Sequence, residues 1–402
     1  MSARRVAVTG VGMVTAHGAG WRRNMEAFKA GRDSTAEVRA FDGSGYRASR
    51  CAEARDFVFA YKPLRLRASR LDRASKLLLT AFDEAMAMAS MDRFDEPAAV
   101  VLGTTLGGML SGERYHADGL RRGFDRARVS LLTDYLAHSQ AANLKLEYSI
   151  RGPSLTLSDA CASGATAIGT AFHMVRAGET RVAVAGGYDT MSEFTFAGFN
   201  ALQAVSPTLC RPFDARRDGL VLGEGAAVLI LEEMESAVAR GAAVLGEVLG
   251  YGSASDAFHM TRPDPEGRGA ASAMRRALDD AGLSPEEIDY INAHGTATPL
   301  NDLMEARAVR AVFGGRDVPV SSVKPMVGHT LGAAGAVEAA VCLMAISGGF
   351  LPPNINCDEP DPQCPLRIVH GPEEGVELRT ALSNSFGFGG TNASLALAGV
   401  RR

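Results

Sequence analysis

Apolar runs with the character of strands, each followed by residues at helical spacing, recur along the whole chain. The strand-like runs are RVAVTGVG, AAVVLGTTLGG, TRVAVAGGYDT, AAVLILEE, IDYINAHGTATP, VPVSSVKPMVGHT and RTALSNSFGFGG. Amphipathic segments lie between several of them, at 75–88, 270–281 and 304–312. This alternation predicts an α/β fold with largely buried sheets and helices on their faces. One stretch, LTLSDACASGATAIGTAFHMV at 155–175, changes period in its middle. Leu155 and Leu157 alternate with Thr156 and Ser158 as in a half-buried strand, whereas Ala165, Ile168, Phe172 and Val175 recur as on a helix. Cys161 therefore falls at a strand-to-helix corner. Unpaired N–H groups and the positive end of the helix dipole at such a corner favour thiolate over thiol, which suits a nucleophile. The competing reading is a small free cysteine filling a core hole.

The chain also echoes itself. CASGA at 161–165 and HTLGA at 329–333 share a reactive residue, two spacers, Gly-Ala and then a small-residue helix. VLGTT at 101–105 corresponds to AHGT at 293–296, and VAGGYDT near Gly187 to LSNSFGFGG near Gly387. Three matches in one order imply duplicated halves, with an expected boundary near residue 250, giving 1–250 and 251–402. Pseudo-twofold packing of the halves would bring Cys161 and His329 to one cleft.

Bulk properties narrow the class. The 402 residues are 46% hydrophobic and 22% charged, ordinary for a globular protein and sufficient for two domains or one duplicated one. A net charge of −4 argues against a nucleic-acid binder. The six cysteines show no metal or disulfide spacing, so reduced thiols and no metal are expected. The N-terminal MSARRVAVTGVGMVT is broken by Thr9, Gly10 and Gly12 and reads as a first strand and turn rather than a signal peptide. No run is expected to approach the roughly 18 apolar residues of a membrane span. A cytoplasmic protein without a membrane partner is the expectation.

Two histidines sit at Gly-flanked corners: His294 in NAHGTATP, and His329 in KPMVGHTLGAAGAVEAA, which also holds Lys324 and Glu338. At a helix N-terminus the dipole disfavours imidazolium, so His329 should be neutral and donate a hydrogen bond, as to an enolate oxygen. In NSFGFGGTN the glycines flanking Phe388 let its N–H approach a ligand, the geometry of an oxyanion hole shared with the N–H of Cys161.

DACASG, NAHGTATP, SSVKPMVGHTLGAAGAVEA and NSFGFGGTN, in this order across nearly the whole chain, resemble the β-ketoacyl-[acyl carrier protein] synthases, elongating condensing enzymes of the thiolase fold. The resemblance is to the type I/II enzymes and the ketosynthases of type II polyketide synthases. It implies duplicated βαβαβ halves in an α-β-α-β-α arrangement. It also implies decarboxylative Claisen condensation of acyl-Cys161 with malonyl-[acyl carrier protein], in fatty-acid or polyketide elongation. His294 and His329 would bind the malonyl thioester carbonyl, Lys324 and Glu338 would organise them, and Cys161 and Phe388 would supply the oxyanion hole. Thr296 and Thr298 match pantetheine-contacting threonines. Phe388 would also be the gating side chain, with Phe199 on the facing loop; Phe386 joins them in the substrate- and pantetheine-binding set, and Leu106 matches the pocket floor. No bound cofactor is implied, because the carrier's phosphopantetheine holds the substrates. The partners would be an acidic carrier, drawn to the exposed basic run of Lys62, Arg65, Arg67 and Arg70, and a second subunit, identical or a ketosynthase-like paralogue. The alternatives are a degradative thiolase, which needs a second cysteine, and a non-elongating chain-length-factor subunit, which lacks the nucleophile. This chain departs from the common pattern at Asp159, Ser163 and Arg262.

Overall fold

The computed structural model describes residues 4–400. Five strands come from the first half of the chain: β1 (Val6–Thr15), β2 (Ala99–Gly103), β3 (Ser154–Leu157), β4 (Val182–Asp189) and β5 (Gly225–Glu233). The second half supplies β6 (Gly246–Ser255), β7 (Tyr290–Asn292), β8 (Pro319–Ser321), β9 (Thr380–Gly387) and β10 (Thr391–Ala398). With two short additions they form one twelve-stranded sheet in which these ten follow the order β8-β7-β9-β10-β6-β1-β5-β4-β2-β3. Outward from the antiparallel β6–β1 junction, each arm runs through two antiparallel pairings and then two parallel ones. The expected duplication is therefore present. Its three echoes fall at matching places: the ends of β2 and β7, the helix starts after β3 and β8, and the strands β4 and β9. The halves join in the 240–245 connection, because all of β6 pairs with the second half and residue 250 lies inside it.

Five helices complete the layers: α1 (Arg73–Met88), α2 (Ser163–Ala177), α3 (Arg268–Ala281), α4 (Pro299–Phe313) and α5 (Ala334–Gly348). Helices α2 and α5 pack on each other and touch strands of both halves, so they form the middle layer. Helix α1 covers the outer face of β1, β5 and β4, while α3 covers β6 and β10 with α4 against it. The result is α-β-α-β-α.

Two sequence expectations change here. Leu331–Gly348 is an 18-residue run of mean hydropathy 1.7, long and apolar enough for a membrane span, contrary to the reading that no run approached that length. It is 83% buried, in the layer between the two arms of the sheet. A helix with protein on every side needs no polar face. The second change concerns β3, which lies at the end of the sheet path. Leu155 is 40% exposed there, so the alternating leucines mark an uncovered edge rather than a half-buried strand.

The first strand also runs farther than its glycines suggested. β1 continues through Gly10 and Gly12 to Thr15. These residues are not a turn but the surface on which α1 lies: a Cβ at Gly12 would sit 2.0 Å from the carbonyl oxygen of Ala81. Gly12→Ala should therefore push α1 off the sheet and lower the unfolding free energy by about 1–3 kcal/mol, read from urea denaturation.

Candidate active site

Cys161 stands at the corner its sequence predicts, between the end of β3 and the first turn of α2. Ala160 before it is left-handed at φ 48°, a conformation that costs a non-glycine residue about 1–3 kcal/mol and must be held from outside. Ser163 does part of this: its Oγ donates to Ala160 O at 2.6 Å and accepts from Asp159 N–H at 2.7 Å. Asp159 in turn accepts from Thr166 Oγ1 at 3.0 Å, which gives both unusual residues of this motif a structural partner. The expectation of a ready thiolate does not hold. Burial pushes the Cys161 thiol up to about 12, against the opposing pull of Lys324 and of the Phe388 N–H, which donates toward the sulfur. Desolvation of the anion is the first cause.

Both histidines lie on the same cavity of about 360 Å³ as Cys161. Their rings are 5.3 Å apart and nearly perpendicular. Lys324 Nζ donates to His294 O at 2.5 Å, lies 3.3 Å from His294 Nδ1, and pairs with Glu338 at 2.5 Å. An ammonium facing Nδ1 leaves the histidine proton on Nε2. His329 reaches the same state by another route, since its Nδ1 accepts the Leu331 N–H at 3.3 Å. His329 precedes α5 by one 3₁₀ turn, Leu331–Ala333, so the free N–H that acts on it belongs to that turn. Burial first, then Lys324, holds both imidazoles well below the ordinary value, and His329 adds to the effect on His294. Each is a neutral Nε2–H donor. Burial raises the Glu338 carboxyl while Lys324 pulls it down.

The remaining predicted residues divide into two groups. Thr296, Thr298, Phe199, Phe386 and Phe388 all line the cavity. The threonine hydroxyls are 2.9 Å apart, and Phe388 stacks on Phe199 with centroids 5.6 Å apart. Arg262 lies on the same wall. Leu106 does not line this cavity; it packs in the apolar cluster of Met191, Phe196 and Leu331, beside Phe199. Lys62, Arg65, Arg67 and Arg70 lie outside the cavity on an exposed segment. That segment is rigidly set, because Glu147 accepts the N–H groups of Leu64, Arg65 and Leu66 and the Tyr61 hydroxyl.

Two residues escaped the sequence reading. Glu305 on α4 accepts the N–H groups of both His294 and Gly295 at 2.8 Å, and burial raises it to about 7. Asp302 holds the N–H of Ala297 at 3.1 Å and that of Phe213 at 2.8 Å. Acids spaced i, i+3 on the buried face of an amphipathic helix were the available signal.

The neutral histidines set a pH dependence. The unfolded chain takes up protons near pH 6.5 and native His294 and His329 do not, so stability present above that value is lost as the pH falls below it. Glu305 and Glu338, both raised to about 7 by burial, act in the opposite sense over this range, so the histidine contribution is a loss that urea unfolding between about pH 8 and 5 should show against that background. It should be shallower in a His294→Asn/His329→Asn double variant, with His17, lowered to about 4 by burial, leaving a residual slope.

Comparison with known proteins gives one answer. The family "Beta-ketoacyl synthase, N-terminal domain" matches residues 3–237, and "Beta-ketoacyl synthase, C-terminal domain" matches residues 245–358. A 3-oxoacyl-[acyl-carrier-protein] synthase 2 of Synechocystis is 38% identical over 98% of this chain and 97% of its own. Among solved structures, the ishigamide ketosynthase/chain length factor superposes with a TM-score of 0.96 at 35% identity, covering 100% of both chains. A ketosynthase in complex with its type II polyketide acyl-carrier protein gives a TM-score of 0.91 at 28% identity, covering 99% of this chain and 100% of its own. With both domains matched and the relatives aligned along their full length, the chain belongs to the β-ketoacyl synthase family.

Proposed function

We propose that this chain elongates acyl groups by decarboxylative Claisen condensation with malonyl-[acyl carrier protein], in fatty-acid or polyketide synthesis. The observation that carries the reading is the cavity itself. One thiol and two neutral Nε2–H donors face it, with the Phe388 N–H on the sulfur.

In the first half-reaction the Cys161 sulfur attacks the acyl thioester, and the tetrahedral oxyanion lies between the N–H groups of Cys161 and Phe388. Such a donor is worth about 3 kcal/mol in other enzymes. The thiol proton leaves on the departing pantetheine sulfur, so the buried site keeps its charge. In the second, the malonyl thioester oxygen accepts from His294 and His329 Nε2–H. Carbon dioxide departs, and the electron pair of the broken C–C bond forms an enolate. Its carbon attacks acyl-Cys161, the C–S bond breaks to leave the thiolate, and a proton taken up from solvent restores the thiol as 3-oxoacyl carrier protein leaves. Decarboxylation supplies the electron pair, so the chain needs no bound cofactor or metal. Lys324, set by Glu338, keeps the His294 proton on Nε2, and Thr296 and Thr298 would bond the pantetheine amides.

No second cysteine lines the cavity among the described residues, which disfavours a degradative thiolase. The presence of Cys161 disfavours a chain-length-factor role. A second ketosynthase-like subunit, identical or paralogous, fits the uncovered β3 edge. Leu155, exposed on that edge, offers it apolar surface. The reaction belongs in the cytoplasm with the carrier.

Incubation with an acyl donor and malonyl carrier protein should yield carbon dioxide, 3-oxoacyl carrier protein and an acyl adduct on Cys161 by mass spectrometry. Cys161→Ala should lose the adduct and the condensed product, and His329→Ala should slow decarboxylation by about 100-fold or more. An unmodified Cys161 would refute the reading. Lys62, Arg65, Arg67 and Arg70 form no ion pair among the described residues, which leaves them to meet an acidic carrier. Arg65→Glu/Arg70→Glu should raise KM for carrier-bound substrates about tenfold, with turnover of small thioesters unchanged.

A further inference from the structure

Asp189 ends β4 in the centre of the molecule, fully buried and unused by the chemistry above. Its carboxylate accepts four hydrogen bonds. Oδ1 takes the Thr104 hydroxyl at 2.7 Å and the Leu106 N–H at 2.9 Å. Oδ2 takes the Thr105 N–H at 2.8 Å and, from the other half of the chain, the Gly332 N–H at 2.7 Å. Each oxygen is saturated.

What these donors belong to gives the carboxylate its meaning. Thr105 Oγ1 donates to the carbonyl of Ala160, the left-handed residue before Cys161, at 3.1 Å. Gly332 follows Leu331, itself left-handed at φ 53°, whose N–H sets the tautomer of His329. A Cβ at Gly332 would lie 2.5 Å from Thr105 N and 2.7 Å from Asp189 Oδ2, so the two turns meet with no room for a side chain. Leu106 and Leu331 share one apolar cluster. Two strained turns, one beside the nucleophile and one beside the histidine, are thus joined through one carboxylate.

We propose that Asp189 is a positioning residue: it ties the 104–106 loop to the Leu331–Gly332 turn, and through that turn holds His329 as the Nε2–H donor. The inference rests on the proposed condensing function. Dependence on the carboxylate is strict, because asparagine offers one oxygen and turns an NH₂ toward N–H donors that need an acceptor.

The test uses the full chain carrying Asp189→Asn and three readouts. Decarboxylation of malonyl carrier protein should fall about 10- to 100-fold, the cost of misplacing a reacting group by a fraction of an ångström to an ångström. Alkylation of Cys161 by iodoacetamide should stay within about threefold of wild type or quicken, since it needs no histidine. The ¹⁵N spectrum should show His329 changing from one tautomer to a mixture. Adding Leu331→Gly, which relaxes the turn, should recover part of the lost decarboxylation. Unchanged decarboxylation with an unchanged His329 signal overturns the proposal, as does equal loss of decarboxylation and alkylation. If Asp189→Asn does not fold, Thr104→Val, which removes one donor from the carboxylate, must shift the same two readouts or the proposal fails. Wild-type protein that does not decarboxylate the substrate would defeat the condensing function alone, and the His329 spectrum would still decide the role of Asp189.

Discussion

A lysine ammonium buried 2.5 Å from a glutamate carboxylate, each side chain only 2% exposed, is the constraint on which the site depends. Neither charge would survive there alone; removing one partner of such a pair costs about 3–5 kcal/mol because it strands the other. The pair is retained for what Lys324 does with its remaining hydrogens. It bonds the His294 carbonyl, faces His294 Nδ1 and depresses both imidazoles. An ion pair of little net worth to stability is thus a fixed positive field for groups that must stay neutral. The same burial raises the Cys161 thiol.

Duplication explains how a single cavity came to hold such unlike groups. The two arms of the sheet are alike in order and in strand direction, and α2 and α5 start at matching points. Yet one start presents a sulfur and the other an imidazole. Near-symmetry brings both to the cleft, and the side chains then divide the work. In the proposed reaction one half would carry the acyl group and the other would stabilise the carbanion that attacks it.

Much of this was legible in the sequence, for physical reasons. Alternating strand and helix periods announced the α/β class, and the echo of CASGA with HTLGA announced the two helix starts. Cys161, His294, His329, Lys324 and Glu338 stood in short motifs rich in glycine and small residues. What stayed hidden depended on long-range burial. The thiol's high pKa follows from the depth of the site, which no local pattern encodes. Gly10 and Gly12 looked like a turn because the helix that needs them lies about seventy residues away. Leu155 read as half-buried because a period of two cannot say whether the covering layer exists. Glu305 and Asp302 act on backbone N–H groups, and a helix pattern does not reveal the loop its acids will cap.

The middle helix has a further consequence. A stretch as apolar as Leu331–Gly348 is, on leaving the ribosome, indistinguishable by composition from a segment bound for a bilayer. Synthesis runs from the N-terminus, and domains tend to fold in that order. Before α5 emerges, β1 to β5 and α2 are available to form the surface against which it will lie. Placing the greasiest helix late in a duplicated chain means that much of the surface it will bury against has been synthesised before it.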